Sequence, residues 1–332
     1  MFYKKIEPFM QFAKNMDDES FLTAFNKAII NADLFVPATN AIDAKDLPII
    51  YVVGVPRSGT TLLSQLLCRY LPVGYINNFI ARFWLRPSVG IMLSKIILGK
   101  DARKRINFRS VQALTEGPEG PHEFGYFWRH WLKLDDSPNH HLSNIALAAI
   151  DRDGLRRALE QEVLASFGAP VVFRNIICGL HADFLTKLHP VSLYVYVKRD
   201  PRDVVSSILK CRKDRFGTYG KWWSLKPSTY PFNDSKNDPV IDVIRQVADC
   251  RWEMECELAS PGINSLTIEY QEMCKDPHAT IEAVRSKISD MYRPIQMIDY
   301  DSPKFTVSDQ SKMPDGLEFR WKEYESYFSK IR

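Results

Sequence analysis

A chain of 332 residues suits one large α/β domain or two small ones, with ample length for a buried core. Its apolar content of 45% and charged content of 25% are those of an ordinary globular protein, not of a fibre or a disordered tail. A formal net charge of +4 is too small to argue for nucleic acid as a partner, and it fits an anionic ligand held by a few local arginines.

Residues 1–40 read as helical, with Phe21, Leu22, Phe25, Ala28 and Ile29 at helical spacing. The N-terminus carries acids and lacks an unbroken apolar core, unlike a signal peptide. The run PIIYVVG, at 48–54, is short, β-branched and closed by glycine, as expected of a strand buried on both faces. The segment TTLLSQLLCRYL follows, with Leu62, Leu63, Leu66 and Leu67 on one helical stripe. Between strand and helix stands GVPRSGTT, Gly54 to Thr61. Stretch 83–145 then breaks the alternation and is rich in aromatics. It includes VGIMLSKIILG, which is too short to span a bilayer and contains Lys95.

The alternation resumes with the helix-like RDGLRRALEQEVLASF, the strand APVVFRNI, the strand VSLYVYVKRD, and the helix DPRDVVSSILKCRK with Pro201 in its first turn. Stretch 211–240 is a second aromatic interruption. VIDVIRQVADCRWEMECELAS is a long helix, NSLTIEYQEM a strand and turn, and PHATIEAVRSKIS a helix that opens at proline. Strands alternating with helices predict a three-layer α/β fold with a central parallel sheet. The two interruptions are expected to cover its carboxyl edge, where ligands bind in such folds. Cys68, Cys178, Cys211, Cys250, Cys256 and Cys274 form no C-x-x-C pair, so neither a zinc site nor a disulfide framework is suggested. Reduced thiols and a cytoplasmic location are the expectation, with no integral membrane segment.

GVPRSGTT has the two glycines of a nucleotide-binding P-loop, G-x-x-x-x-G-K-[ST], but Thr60 stands where the lysine belongs. The nearest cation is Arg57. Glycines let the backbone turn its N–H groups toward an anion, and the following helix adds its dipole. A guanidinium inside the loop can straddle a bridging oxygen between two anionic centres and keeps its proton. Such a loop suits a phosphate joined to a second acidic group, with no obligatory metal.

PRSGTT after a buried strand closely resembles the 5′-phosphosulfate loop of sulfotransferases that use 3′-phosphoadenosine 5′-phosphosulfate (PAPS), P-[KR]-[ST]-G-T-[TS]. Arg57 is the arginine version found in many bacterial and carbohydrate- or tyrosine-directed members. Arg199-Asp200-Pro201-Arg202-Asp203, with Ser207 eight residues after Arg199, resembles the same family's 3′-phosphate motif. LTIEYQEMCKDPHATIEAV resembles a later strand whose tyrosine, here Tyr270, lies near the adenosine. The resemblance spans about residues 48–290. It implies a single P-loop-like domain over 1–332 with 48–290 as core and 291–332 as a C-terminal lid or tail; residues 1–40 have no counterpart in the resemblance and are read as a helical extension. It implies PAPS held by Arg57, Ser58, Gly59, Thr60, Thr61, Leu62, Arg199, Ser207 and Tyr270, and adenosine 3′,5′-bisphosphate as product, without a metal. Lys304, Lys312 and Arg320 are candidates for a basic lid over the 3′-phosphate.

Sulfuryl transfer needs a base for the acceptor hydroxyl. The family uses histidine or glutamate. Where the glutamate branch places its acid, VGYINNFIARFW offers only Asn77 and Asn78, and neither amide is a base. The next segment, TEGPEGPHEFGYFWRHW, offers Glu116, Glu119, His122, Glu123 and His130. Glu123 and His122 are the leading candidates, with Glu119 third. Phe79, Phe83, Trp84, Phe124, Tyr126, Phe127, Trp128 and Trp131 either line an acceptor pocket or pack in the core, with at least half expected in the core. The acceptor is expected to be a glycan, a lipid head group or a small natural product. Two other readings compete: a P-loop kinase or phosphotransferase, and a non-catalytic nucleotide-binding protein.

Overall fold

The computed structural model describes residues 15–30, 32, 43–99, 101–232, 238–307, 313–314, 316–326 and 328. Five parallel strands form the central sheet: β1 (Ile49–Val53), β2 (Gly74–Tyr75), β5 (Val171–Arg174), β6 (Ser192–Lys198) and β7 (Ser265–Glu269). Two short strands, β3 (Ser110–Val111) and β4 (Leu114–Thr115), make a separate antiparallel hairpin. The sheet order is β2-β5-β1-β6-β7, with every pairing parallel. The expected α/β fold is therefore borne out. β1 lies at the centre, and the chain leaves it toward one edge before returning to build the other. The loop after β1 thus opens at the switch point of the sheet, where crevices form in such folds.

β1 is buried along its whole length, as its apolar sequence required. Ile49, Tyr51 and Val53 face one helical layer, while Ile50 and Val52 face the other with Leu63, Leu66 and Leu67. Tyr51 stacks between Tyr194 of β6, at 5.0 Å, and Phe173 of β5, at 6.1 Å, which locks three adjacent strands through one face. The helices Thr60–Tyr70, Pro201–Phe216, Pro239–Leu258 and Pro277–Met291 fall where apolar spacing placed them. The helix of 152–167 contains a π segment at Ala158–Leu164.

Three expectations need correction. YQEM is not a turn: Tyr270–Lys275 is a helix that starts directly after β7. Only residues 110–129 of the 83–145 stretch reach the cavity at the carboxyl edge. Its helix Pro87–Leu98 packs instead beside residues 158–167. Of the stretch 1–40 expected to be helical, Met16–Ile29 is a helix, and residues 1–14, 31 and 33–40 lie outside the described residues; the apolar stripe of the helix is only partly used. Leu22 packs on the core, while Phe21 is 68% exposed. The anchor is the fully buried Asn26, whose amide donates to Arg82 O at 2.8 Å and accepts from Leu85 N at 3.0 Å. A buried side-chain amide satisfied on both ends fixes an orientation that an apolar stripe leaves free. All six cysteines are free thiols, and Cys256 alone is exposed. Among the described residues no helix is long and apolar enough to cross a membrane.

Candidate active site

The helix Thr60–Tyr70 starts at Gly59, whose φ of 108° is open to glycine and strained for other residues. No side chain caps this helix start, so its first backbone N–H groups point into the loop with the positive end of the helix dipole. Arg57 itself has a φ of 71°, an uncommon conformation for a side chain of its size, of the kind that concentrates at functional sites. A Cβ at Gly59 would strike the ring of Tyr270, so glycine here also lets the aromatic residue close over the loop. Gly54 is equally constrained: a Cβ there would meet Ser58 Oγ and Val197 O, under 3 Å away.

The second motif comes to the same place. Asp200 caps the helix Pro201–Phe216 by accepting from Arg202 N and Asp203 N. Arg199 precedes that cap at the end of β6. Its Nη1 donates to Arg57 O at 3.3 Å, its Nε and Nη2 face Asp203 Oδ2 at 3.4 Å, and its guanidinium lies 4.3 Å from the ring centre of Tyr270. Arg57 Nε in turn donates to Ser207 Oγ at 2.9 Å. A hydroxyl that accepts one hydrogen bond still has its own proton to donate. Two motifs some 150 residues apart are thus interlocked through Arg57, Arg199, Ser207 and Tyr270.

These residues stand at one end of a cavity of about 1090 Å³. That volume exceeds what a single small ligand ordinarily fills, and leaves room for a nucleotide and a second substrate. Thr60, Thr61 and Leu62 contribute to its wall. Ser58 and Ser207 are buried behind it.

One contributor escaped the sequence reading. Arg174 is the last residue of β5 and is 4% exposed. Its Nη1 donates to Thr61 Oγ1 at 2.8 Å and to Ala113 O at 3.0 Å, and its Nη2 donates to Pro121 O at 3.2 Å. Burial pulls the Arg174 guanidinium down from its ordinary value, and the Glu123 carboxylate, 3.6 Å away, works against that. One guanidinium therefore ties the anion loop, the β3–β4 hairpin and the Glu123 segment together. The signal was a charge closing an apolar strand, VVFR, at the carboxyl edge.

The candidate bases separate by position. His122 and Glu123 both line the cavity. Phe124 N donates to His122 Nδ1 at 2.9 Å, so the ring's lone pair is engaged and a neutral imidazole keeps its proton on Nε2. Such a ring donates rather than accepts. Glu123 faces the cavity beside Arg174, with its backbone carbonyl held by Asn175 Nδ2 at 2.9 Å. Glu119 is buried against Arg105, 3.7 Å away, and does not line the cavity, and neither do Glu116 and His130. Asn77 and Asn78 have structural duties. Asn77 accepts from Ile80 N, and Asn78 donates to Thr115 O and Gly117 O.

Of the eight candidate aromatics, Phe79 lines the cavity, while Phe83, Trp84, Phe124, Phe127 and Trp128 are buried in the core and Tyr126 and Trp131 pack against it. A further aromatic on the cavity wall is Trp223, from the second interruption. It is set in place by the fully buried Gln246, whose amide donates to Trp223 O at 2.8 Å and Leu225 O at 2.7 Å while accepting from Arg212 at 3.1 Å. Of the lid candidates, Lys312 lies outside the described residues. Lys304 is exposed, and Arg320 is paired with Asp238 and Glu323. The C-terminal segment instead meets the second motif through Glu318 and Arg202, at 2.5 Å.

The chain resembles the crystal structures of sulfotransferase STF9 from Mycobacterium avium (14% identity, 93% of this chain and 81% of that one, TM-score 0.48) and sulfotransferase STF1 from Mycobacterium tuberculosis H37Rv (15%, 89% and 74%, 0.43). It also resembles the sulfotransferase domain of the curacin biosynthetic pathway (14%, 86% and 92%, 0.38). No curated protein sequence matches it. A family model described as the sulfotransferase family matches residues 48–288, which take in both interlocked motifs, Arg174 and Glu123, and on that match the chain belongs to the sulfotransferase family.

Proposed function

We propose that the protein transfers a sulfuryl group from PAPS to a hydroxyl of a small-molecule, lipid or carbohydrate acceptor. The observation that carries this reading is the contact between the two motifs, Arg57 to Ser207 and Arg199 to Arg57, at an uncapped helix start. The residues fit the donor. The loop amides, Thr60, Thr61 and Arg57 suit a phosphosulfate, Arg199 and Ser207 suit a phosphate on the ribose, and Tyr270 offers an aromatic wall. We read the chain as one domain built on 48–290, with 1–40 and 291–332 as attachments.

When bound, the donor supplies sulfur already bonded to a good leaving group. Arg57 and the helix dipole stabilise the charge that grows on the bridging oxygen as the S–O bond breaks. Arg174 holds Thr61 and Glu123 in fixed relation. Glu123 takes the acceptor's proton as the new O–S bond forms, and adenosine 3′,5′-bisphosphate leaves.

Equilibrium binding of adenosine 3′,5′-bisphosphate against ADP, with and without Mg²⁺, tests the donor assignment. The bisphosphate should bind more tightly, and EDTA should leave both binding and turnover unchanged. A preference for ADP, or a strict Mg²⁺ requirement, would favour the kinase reading.

A further inference from the structure

The apolar segment VGIMLSKIILG, residues 89–99, is too short to span a bilayer, and none of the residues lining the cavity comes from it. It forms most of the helix Pro87–Leu98, and near the end of that helix the usual burial is inverted. Ser88 and Ser94 are buried, while Ile96 and Ile97 are 69% and 61% exposed. Adjacent isoleucines left in water on a helix that buries its serines mark an interaction surface.

The chain that follows is strongly basic. Residues 95–109 carry Lys95, Lys100, Arg103, Lys104, Arg105 and Arg109 against the single acid Asp101, a larger positive surplus than the +4 of the whole chain. Folding brings three more acids to this segment, and a surplus remains. Asp299 lies 3.1 Å from Lys104, Glu119 lies 3.7 Å from Arg105, and Glu116 accepts from Asn107 at 2.9 Å. Arg103 donates to the carbonyls of Leu71 and Val73, and no acid among the described residues pairs with Arg103 or Arg109.

These contacts join the helix end to the rim of the cavity. Arg105 Nη2 donates to Leu98 O at 3.1 Å while its Nε faces Glu119. Glu116 and Glu119 stand on either side of Gly117, which lines the cavity just after β4. In the β3–β4 hairpin Val111 stands opposite Leu114, and the two are 53% and 54% exposed. Leu114 also lines the cavity, so apolar surface continues from the cavity to the outside. Along the chain, the pairs Ile96–Ile97 and Val111–Leu114 bracket the basic segment.

We infer that this side of the protein rests on an anionic lipid surface, with the two apolar pairs entering the headgroup layer and the basic residues between them facing lipid phosphates. Apolar insertion and attraction to anionic lipids add, and each alone binds weakly. A second copy of the chain is a poorer occupant, because two such faces carry the same positive surplus and repel one another. One consequence rests on the proposed sulfuryl transfer: the rim of the cavity then opens at the lipid surface, and a lipid hydroxyl is the acceptor class served best.

Cosedimentation with vesicles tests the docking without any nucleotide, so its failure and that of the donor assignment stay distinct. Vesicles of phosphatidylcholine are compared with vesicles of phosphatidylcholine and phosphatidylglycerol in equal parts. The protein should bind the anionic vesicles about tenfold or more tightly, and the preference should shrink in high salt. Ile97→Ser, Val111→Ser and Arg109→Glu should each weaken this binding about threefold or more, with the thermal unfolding midpoint unchanged because all three side chains are exposed. Ile145→Ser, at an isoleucine 85% exposed on the helix Asn144–Ala148, is the control and should bind like the unchanged protein. The inference is overturned if the protein binds neither kind of vesicle, if it binds both equally, if Ile145→Ser loses as much as Ile97→Ser, or if Val111→Ser and Arg109→Glu both bind like the unchanged protein. A dimer in sedimentation that Ile97→Ser dissociates, without vesicle binding, would also overturn it and assign the isoleucines to a second copy.

Discussion

The two ends of the cavity are built in different ways. At the proposed nucleotide end, three residues sit within four positions of a strand's carboxyl end: Arg57 after β1, Arg199 after β6, Tyr270 after β7. Strand, turn and helix place these residues with little outside help. At the proposed acceptor end the wall comes from connections outside the central sheet. Residues 110–129 are held by Arg174 and Asn78, and residues 219–228 by Arg212, Gln246 and Glu253. Local geometry makes the proposed donor site, and distant buried polar side chains make the proposed acceptor site.

The largest effect that would sharpen this contrast is catalytic. Glu123→Gln should cost about 10²–10⁴-fold in turnover, the usual worth of general base catalysis, and leave adenosine 3′,5′-bisphosphate binding nearly unchanged. His122→Ala should cost much less, because its Nδ1 is engaged by Phe124 N–H. Single-turnover assays with saturating PAPS measure both. A His122→Ala loss as large as that of Glu123→Gln would reverse the assignment. Near wild-type turnover in both variants would place the base outside the His122-Glu123 pair.

Next in size is the nucleotide end alone. Arg199→Ala should weaken adenosine 3′,5′-bisphosphate by about 2–4 kcal/mol, the range for truncating a desolvated charged contact. AMP and ADP, which lack the 3′-phosphate, should hardly respond. Arg199 also faces Asp203 and Arg57 O, so equal losses for all three ligands would mark it as structural.

The same contrast decided what the sequence could tell. PRSGTT and RDPRD, each after an apolar β-branched run, pointed to their positions because their geometry is local. Arg174 was hidden only by lack of company. It closes a strand that was recognised, but a single arginine there carries no motif, and its partners Thr61, Ala113, Pro121 and Glu123 lie about 50 to 110 residues away. At least half of the aromatics were expected in the core and are there, but the sequence could not say which, for a similar reason. Composition marks a residue as aromatic but not which side of a connection it faces, so Phe124, Phe127 and Trp128 became core while Trp223 reached the cavity. Asn26 was overlooked because a polar residue inside a helical stripe reads as the solvent face.

A smaller change should separate the two ends by stability and acceptor use together. Gln246→Leu keeps the volume but leaves Trp223 O, Leu225 O and an Arg212 N–H inside the protein without their partner. The expected cost is about 1–3 kcal/mol of folding stability, that of a buried group left unsatisfied. KM for the acceptor should rise, and nucleotide affinity should stay as it is. A matching loss of nucleotide affinity would show that the two ends are not independently supported.

The mildest effect is on pH. Three histidines brace the proposed acceptor wall. His140 Nδ1 accepts from Lys226 N, His181 Nε2 lies 2.9 Å from His140 O, and His141 faces Glu253 and Glu257. Burial lowers His140 and His181 from 6.5 to about 4, so both stay neutral in the folded protein. Burial also opposes the charge on His141, but hydrogen bonds and attraction from Glu253 and Glu257 outweigh it and raise the group to about 9. The signs follow from linkage. The unfolded chain gains protons on His140 and His181 as pH falls below about 6.5, and the folded protein resists until about 4, so stability declines over that interval. The stabilising charge on His141 is fully present below about 6.5 and is lost as pH rises through about 9. Thermal unfolding should therefore show its highest midpoint near pH 6.5 and fall by a few degrees over the neighbouring unit on each side. His141→Gln should flatten the alkaline limb and spare the acid one. An alkaline limb that survives this change would place the titrating group outside the acceptor wall.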